Sequence, residues 1–273
     1  FMQNQGIGAV FRVIPNRLPT IDELQFSDAV KKLTRLNNGL VLVTGPTGCG
    51  KTTTLAAIVH EINRCTPQHI ITVEDPIEFI HEPVQSVISQ RQVGKHTSSF
   101  AEALRSALRE SPDVLIIGEL RDLDTIQLAI AAAETGVLVF GTLHSNSASK
   151  AVDRMIHVLP EESRDQMRGV LSVLLRGVVA QHLIKLASGE GRTAVMEILL
   201  QSFGVSHMIR ENKLHQIEGY LQSASHDGSG MQSLDHAIFC NIREGLISLD
   251  EGLKVSNYPD ILKRQVADLP EDF

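Results

Sequence analysis

The strongest constraint in this 273-residue chain is the stretch LVLVTGPTGCGKTTTL at 40–55. A short apolar run at 40–43 leads into Gly45-Pro-Thr-Gly-Cys-Gly-Lys-Thr, and a helix-forming run follows at 55–59. The pattern GxxxxGK[ST] therefore stands between a strand and a helix, the context it requires. Its glycines let the backbone curl around an anion with N–H groups turned inward, and the new helix adds the positive end of its dipole. Gly45, Pro46, Thr47, Gly48, Cys49, Gly50, Lys51, Thr52 and Thr53 are expected to hold a nucleotide, with Lys51 on the β and γ phosphates and the Thr52 hydroxyl on Mg2+. Cys49 reads as a small residue at a variable loop position; the other reading is a catalytic thiol.

Bulk composition narrows the partners. The net charge of −7 does not favour nucleic acid, and the absence of Trp with only two Tyr leaves little for base stacking. Three scattered cysteines without a CxxC pair argue against a structural zinc or a disulfide framework. No run approaches the roughly 18 apolar residues of a membrane span.

The remaining strands each end in polar residues. Residues 69–73, HIITV, read as a strand followed by Glu74, Asp75 and Glu78, where open parallel sheets place their ligands; a solvated acidic turn would carry the same residues. Residues 82–97 read as a small hairpin or an irregular excursion. A capped helix is expected at 99–109. The apolar strand 114–117 runs straight into Gly118-Glu119, the Mg2+ and water position of P-loop ATPases, and strand 137–141 leads to Thr142-Leu-His144, where a γ-phosphate sensor would stand. An acid capping its strand and a histidine at the core edge are the plainer readings. An additional strand carrying acids lies between the phosphate-loop strand and the Glu119 strand. That pattern marks the additional-strand, catalytic-Glu division of P-loop proteins. Helices are expected at 27–36, 51–63, 120–135, 148–159 and 161–176, then an antiparallel pair, 178–186 with 192–200. Helical material follows, with a final short helix starting near 245. The expected fold is an α/β, RecA-like P-loop NTPase core at 21–200 with a small, mostly helical C-terminal domain at 201–273. Residues 1–20 would be the last strand of a truncated N-terminal domain, at 9–14, and a linker. Arg12 and Arg17 in that segment are either solvated or candidate arginine fingers reaching a neighbouring subunit.

Taken together, GPTGCGKTTTLAAIV (45–59), ITVEDPIEF (71–79), FAEALRSALRESPDVLIIGELRD (100–122) and ETGVLVFGTLHSNSASKAVDRMI (134–156) resemble the secretion ATPase superfamily of type IV pilus and type II secretion systems, and within it the twitching-motility retraction ATPases. The resemblance implies a homo-hexameric ring that binds ATP and Mg2+. Each subunit would join an N-terminal PAS-like domain to the RecA-like domain. It also implies that Glu78 is the general base, Glu119 the Walker B glutamate on Mg2+ and His144 the His-box histidine. Such motors act at the cytoplasmic face of the bacterial inner membrane through a pilus platform protein, with a related motor paralogue as a further candidate partner; nucleic acid is not expected. Two positions depart from the retraction pattern: Val137 replaces the usual histidine, and GVSHMIRE at 204–211 keeps only the end of AIRNLIRE. A nucleotide-gated regulatory paralogue and a nucleic-acid translocase are the alternative functions.

Overall fold

The computed structural model describes residues 2, 3, 6–8 and 17–269. The strand expected at 9–14 and Arg12 lie outside these residues. At the N-terminus β1 (Met2–Gln3) pairs antiparallel with β2 (Ile7–Gly8). The main body then runs α1 (Asp28–Leu33), β3 (Gly39–Thr44), α2 (Lys51–Cys65), β4 (His69–Glu74), β5 (Val87–Gln92), α3 (Phe100–Ala107), β6 (Val114–Ile117), α4 (Leu123–Glu134) and β7 (Leu138–Leu143). It continues through α5 (Ala148–His157), α6 (Arg164–Leu174), β8 (Leu175–Lys185) and β9 (Arg192–Leu200), and ends in α7 (Phe203–Arg210), α8 (Ile217–Ala224), α9 (Leu234–Arg243), α10 (Leu249–Leu253) and α11 (Pro259–Ala267).

One sheet, in the order β5-β4-β6-β7-β3-β8-β9, organises the molecule. All its pairings are parallel except the β8–β9 hairpin. Side chains alternate across a strand, and here alternate residues enter different cores. Leu40, Leu42, Leu115, Ile117 and Val139 pack with α3, α4, α5 and α6. Val41, Val43, Val114, Ile116 and Phe140 pack with α1 and α2 on the other face. A strand buried on both faces is continuously apolar, which is why β3 and β6 were legible as VLV and VLII. Helix starts follow the side chains that satisfy free N–H groups. Ser99 accepts from Glu102 N, Asp122 from Thr125 N, Ser147 from Lys150 N and Ser233 from His236 N.

Three expectations are corrected. Residues 87–92 form no hairpin: β5 lies parallel to β4, from His69↔Val87 to Glu74↔Gln92. An edge strand with one neighbour tolerates polar residues, so VISQRQ carried no buried-strand signal. In space, the strand that separates the phosphate-loop strand from the Glu119 strand is β7, which leads to His144, rather than the acid-bearing β4. The final helices begin at Leu249, capped by Ser248, and at Pro259, not near 245.

Candidate active site

The register aligns the C-terminal ends of the parallel strands. Val73, Ile117, Gly141 and Leu42 stand in one row across β4, β6, β7 and β3. Glu74–Glu78, Glu119, His144 and the phosphate loop all follow that row, on one edge of the sheet, where doubly wound folds bind ligands.

The loop turns on glycines with positive φ. Gly45 (φ 147°) has no room for a side chain, since a Cβ there would stand 2.3 Å from the Gln181 carbonyl oxygen. Gly50 (φ 92°) is the residue from which α2 springs. No acidic side chain occupies the first turn of α2, so its N-terminus is left to an external anion. Lys51 is buried and folds back along the loop, donating from Nζ to Gly45 O at 2.8 Å and Pro46 O at 3.1 Å. The third of its three donors makes only a long contact to Cys49 Sγ at 4.0 Å, the one a phosphate oxygen would replace. Cys49 is buried, and burial pushes its thiol pKa up, against the nearby Lys51. A protonated, enclosed thiol is not a nucleophile, which favours the small-residue reading.

Thr52, Glu78, Glu119 and Thr142 line one cavity of about 80 Å3, together with Glu74, Asp75 and His81. That volume holds several waters. Within it Glu119 accepts from Arg121 Nε at 2.6 Å and lies 3.2 Å from His144 Nε2, both at Oε1. Burial raises the Glu119 pKa, but Arg121 and His144 outweigh it and hold the carboxyl below its usual value. Both of these contacts fall on Oε1, and Oε2 is the oxygen that could hold a metal. Glu74, the last residue of β4, and Glu78 beyond it differ. Glu74 is turned inward, accepting from Thr72 Oγ1 at 2.6 Å and Gln90 Nε2 at 3.2 Å, and its pKa is raised, chiefly by burial. Glu78 lies on the cavity wall with Thr52 and Glu119. His81 is buried with Nδ1 lacking a partner among the described residues, and burial, with His60, pushes its pKa down to about 4.

His144 is held at its carbonyl by Arg154 Nη1, 3.2 Å away. The next residue ties this segment to the end of β3: Thr44 Oγ1 donates to Ser145 O at 2.7 Å and accepts from Ser145 N at 2.9 Å. Arg17 is bonded to Glu23, with its side chain 82% exposed. A second hollow, of about 390 Å3, opens on the other side of the start of α2, lined by Leu24, Phe26, Gly50, Thr53, Leu183 and Arg192.

Sequence reasoning missed Arg121 and Gln181. Arg121 stands two residues beyond Glu119, and so on the same side of an extended segment; that parity was the available signal. Gln181, with His182, is the polar break in the otherwise apolar run GVVAQHLI of β8.

A family model described as "Type II/IV secretion system protein" matches residues 6–219. A twitching motility protein of Neisseria gonorrhoeae is 48% identical over 248 residues, covering 91% of this chain and 66% of its own length. The type IV pilus retraction ATPase PilT of Pseudomonas aeruginosa is 45% identical over 273 residues, covering 100% of this chain and 75% of its own. Among solved structures, that of the pilus retraction motor PilT with bound ADP superposes with a TM-score of 0.86 at 42% identity, over 93% of this chain and 71% of that one. The ATPase DotB of Legionella pneumophila gives 0.80 at 27% identity, over 89% and 67%. Motifs, sheet order and relatives agree, and the chain belongs to the type II/type IV secretion system protein family, in which its relatives include pilus retraction ATPases.

Proposed function

We propose that this chain hydrolyses ATP as one protomer of a homo-hexameric motor that retracts type IV pili or drives closely related pilus or secretion machinery. The observation that carries this reading is the single cavity shared by Thr52, Glu78 and Glu119 beside a complete phosphate loop. Lys51 and the backbone N–H groups of 45–53, Pro46 excepted, bind the phosphates, and the hollow beside Gly50 and Thr53 takes the ribose and base. A hydroxyl and one carboxylate oxygen are the hard donors Mg2+ accepts alongside phosphates and water, so Thr52 and Glu119 fit the metal. When bound, Mg2+ neutralises charge on the β and γ oxygens. Glu78 orients the attacking water and takes its proton; His144 reads the γ-phosphate from beside Glu119. An arginine of a neighbouring protomer, Arg12 or Arg17, completes the site, and the exposure of Arg17 suits that role.

The motor works at the cytoplasmic face of the bacterial inner membrane, on a pilus platform protein and beside a related motor paralogue. Among the described residues no helix is long and apolar enough to cross a membrane. The net charge of −7 suits neither nucleic acid nor an anionic lipid surface as the direct partner.

Hydrolysis by wild type and Glu78→Gln tests the assignment. Loss of a general base lowers turnover by about a hundredfold or more, with ADP binding kept. Turnover per protomer rises with protein concentration as rings form. A Glu78→Gln protein that hydrolyses ATP at the wild-type rate overturns the role given to Glu78.

A further inference from the structure

The phosphate loop is held from outside by a side chain of β8. Ala180 is the register partner of Thr44, so Gln181 comes alongside Gly45, where the loop begins. Gln181 is 2% exposed. Its Nε2 donates to the Cys49 carbonyl at 2.6 Å, and its Oε1 accepts from Thr54 Oγ1 at 2.6 Å. Chemistry dictates this polarity. A carbonyl only accepts, so the amide must turn its NH2 to Cys49, and the oxygen end is left to a hydroxyl donor. Thr54, itself buried, supplies that donor from the first turns of α2.

The consequence lies in the peptide between Cys49 and Gly50. In a trans peptide the C=O and N–H point in opposite directions. A Cys49 carbonyl drawn out to Gln181 leaves the Gly50 N–H directed to the other side, into the curl of the loop. Gly50 sits at φ 92°, and a glycine offers little resistance to rotation of that peptide. Something else must set its direction. We infer that Gln181 is a positioning residue for nucleotide binding: it fixes the Cys49–Gly50 peptide with its N–H presented to the phosphates, and Thr54 keeps the Gln181 amide from flipping. Both side chains also line the hollow beside Gly50 and Thr53, where their hydrogen bonds go to the loop and to each other. The inference rests on the reading of 45–53 as the phosphate site.

The test is affinity for a fluorescent ADP, measured on the full chain by titration. Gln181→Met keeps length and removes both bonds; ADP affinity falls about tenfold, the equivalent of ~1.4 kcal/mol. Thr54→Val weakens binding less, and adds little to Gln181→Met because the two act as a unit. Gln181→Glu is the readout that a merely structural role would not move. Ionised, it sets a carboxylate oxygen against the Cys49 carbonyl. Protonated, it regains one donor and one acceptor in the places of the amide. Buried at this position, the carboxyl titrates well above its usual range, so its affinity relative to wild type at the same pH recovers between about pH 8 and about pH 5.5, while that of Gln181→Met does not. Wild-type affinity in Gln181→Met overturns the inference, as does a folded Gln181→Glu without that recovery. Should Gln181→Met not fold, Thr54→Val and Gln181→Glu decide. Lys51→Ala separates the two levels: retained ADP binding there overturns the phosphate-site reading itself, whereas its loss alongside intact Gln181→Met removes only the positioning role.

Discussion

Two glycines of the phosphate loop differ in what surrounds them. Gly45 has φ 147° and faces the Gln181 carbonyl and the Cys49 sulfur, 2.3 and 2.6 Å from an added Cβ. Gly48 has φ 79° with nothing within 4 Å of that position. Gly45→Ala therefore has to move backbone, whereas Gly48→Ala bears only the left-handed penalty of about 1–2 kcal/mol. Urea unfolding and ADP titration should rank them clearly. Gly45→Ala loses ADP binding and more than about 2 kcal/mol of stability; Gly48→Ala loses less of both. Equal stabilities would show that the clash relaxes without cost. At this scale the residues whose type and spacing form a motif were legible in the sequence as candidates: the loop, Glu78, Glu119 and His144. Gln181 was not, because its role depends on β8 lying beside β3, and no local pattern states which strands adjoin. Nor was the inward turn of Glu74, which follows from Thr72 and from Gln90 on the edge strand.

Elements meet at a buried carboxylate that the motifs leave out. Glu197 of β9 is 4% exposed and accepts from Ala148 N, the first residue of α5, at 2.7 Å. Burial pushes its pKa up to about 7; the Ala148 N–H and, at the start of α9, the Leu234 N–H oppose the shift, while Glu218 and Asp235 add to it. One side chain thus links the helix that follows the His144 segment to a helix of the C-terminal region. The folded pKa lies above the usual 4.5, so the folded chain holds this proton more tightly than the unfolded one. Stability is fully present below about pH 4.5, falls as pH rises to about 7, and stays lower beyond by on the order of 3 kcal/mol. Glu197→Gln keeps the acceptor and cannot ionise. Urea midpoints of variant and wild type should agree near pH 5 and separate toward pH 8, with the variant more stable; parallel curves would remove Glu197 as the cause. In sequence, Glu197 is one acid in the strand pattern VMEILL, and only the packing of two helix starts around it reveals its setting. Helices with serine or aspartate caps were legible for the opposite reason, since their signal is local.

Across the whole molecule, the helices after residue 200 divide by what they cover. Val205, Met208 and Ile209 of α7, Leu214, and Ile217 and Leu221 of α8 belong to the same apolar cluster as Leu42, Ile117 and Leu171, on the face of the central sheet. Leu234, Ala237, Ile238, Ile247 and Leu262 instead pack on Ile184 and Val195, at the outer end of the β8–β9 hairpin. Two shortened chains distinguish these roles. Ending the chain at 200 removes the first six of these side chains and opens the apolar sheet face they cover, so this chain should not fold cooperatively. Ending it at 232 keeps α7, α8, Met231 and the bridge from Gln232 to Ile198, and strips only the outer cluster. That chain should keep a single cooperative unfolding transition at a lower Tm, and ADP should still raise it, because the phosphate loop, Gln181 and the Glu119 cavity lie wholly within the retained part. A chain ending at 200 that unfolds cooperatively and binds ADP would show instead that α7 and α8 are dispensable to the ATPase core.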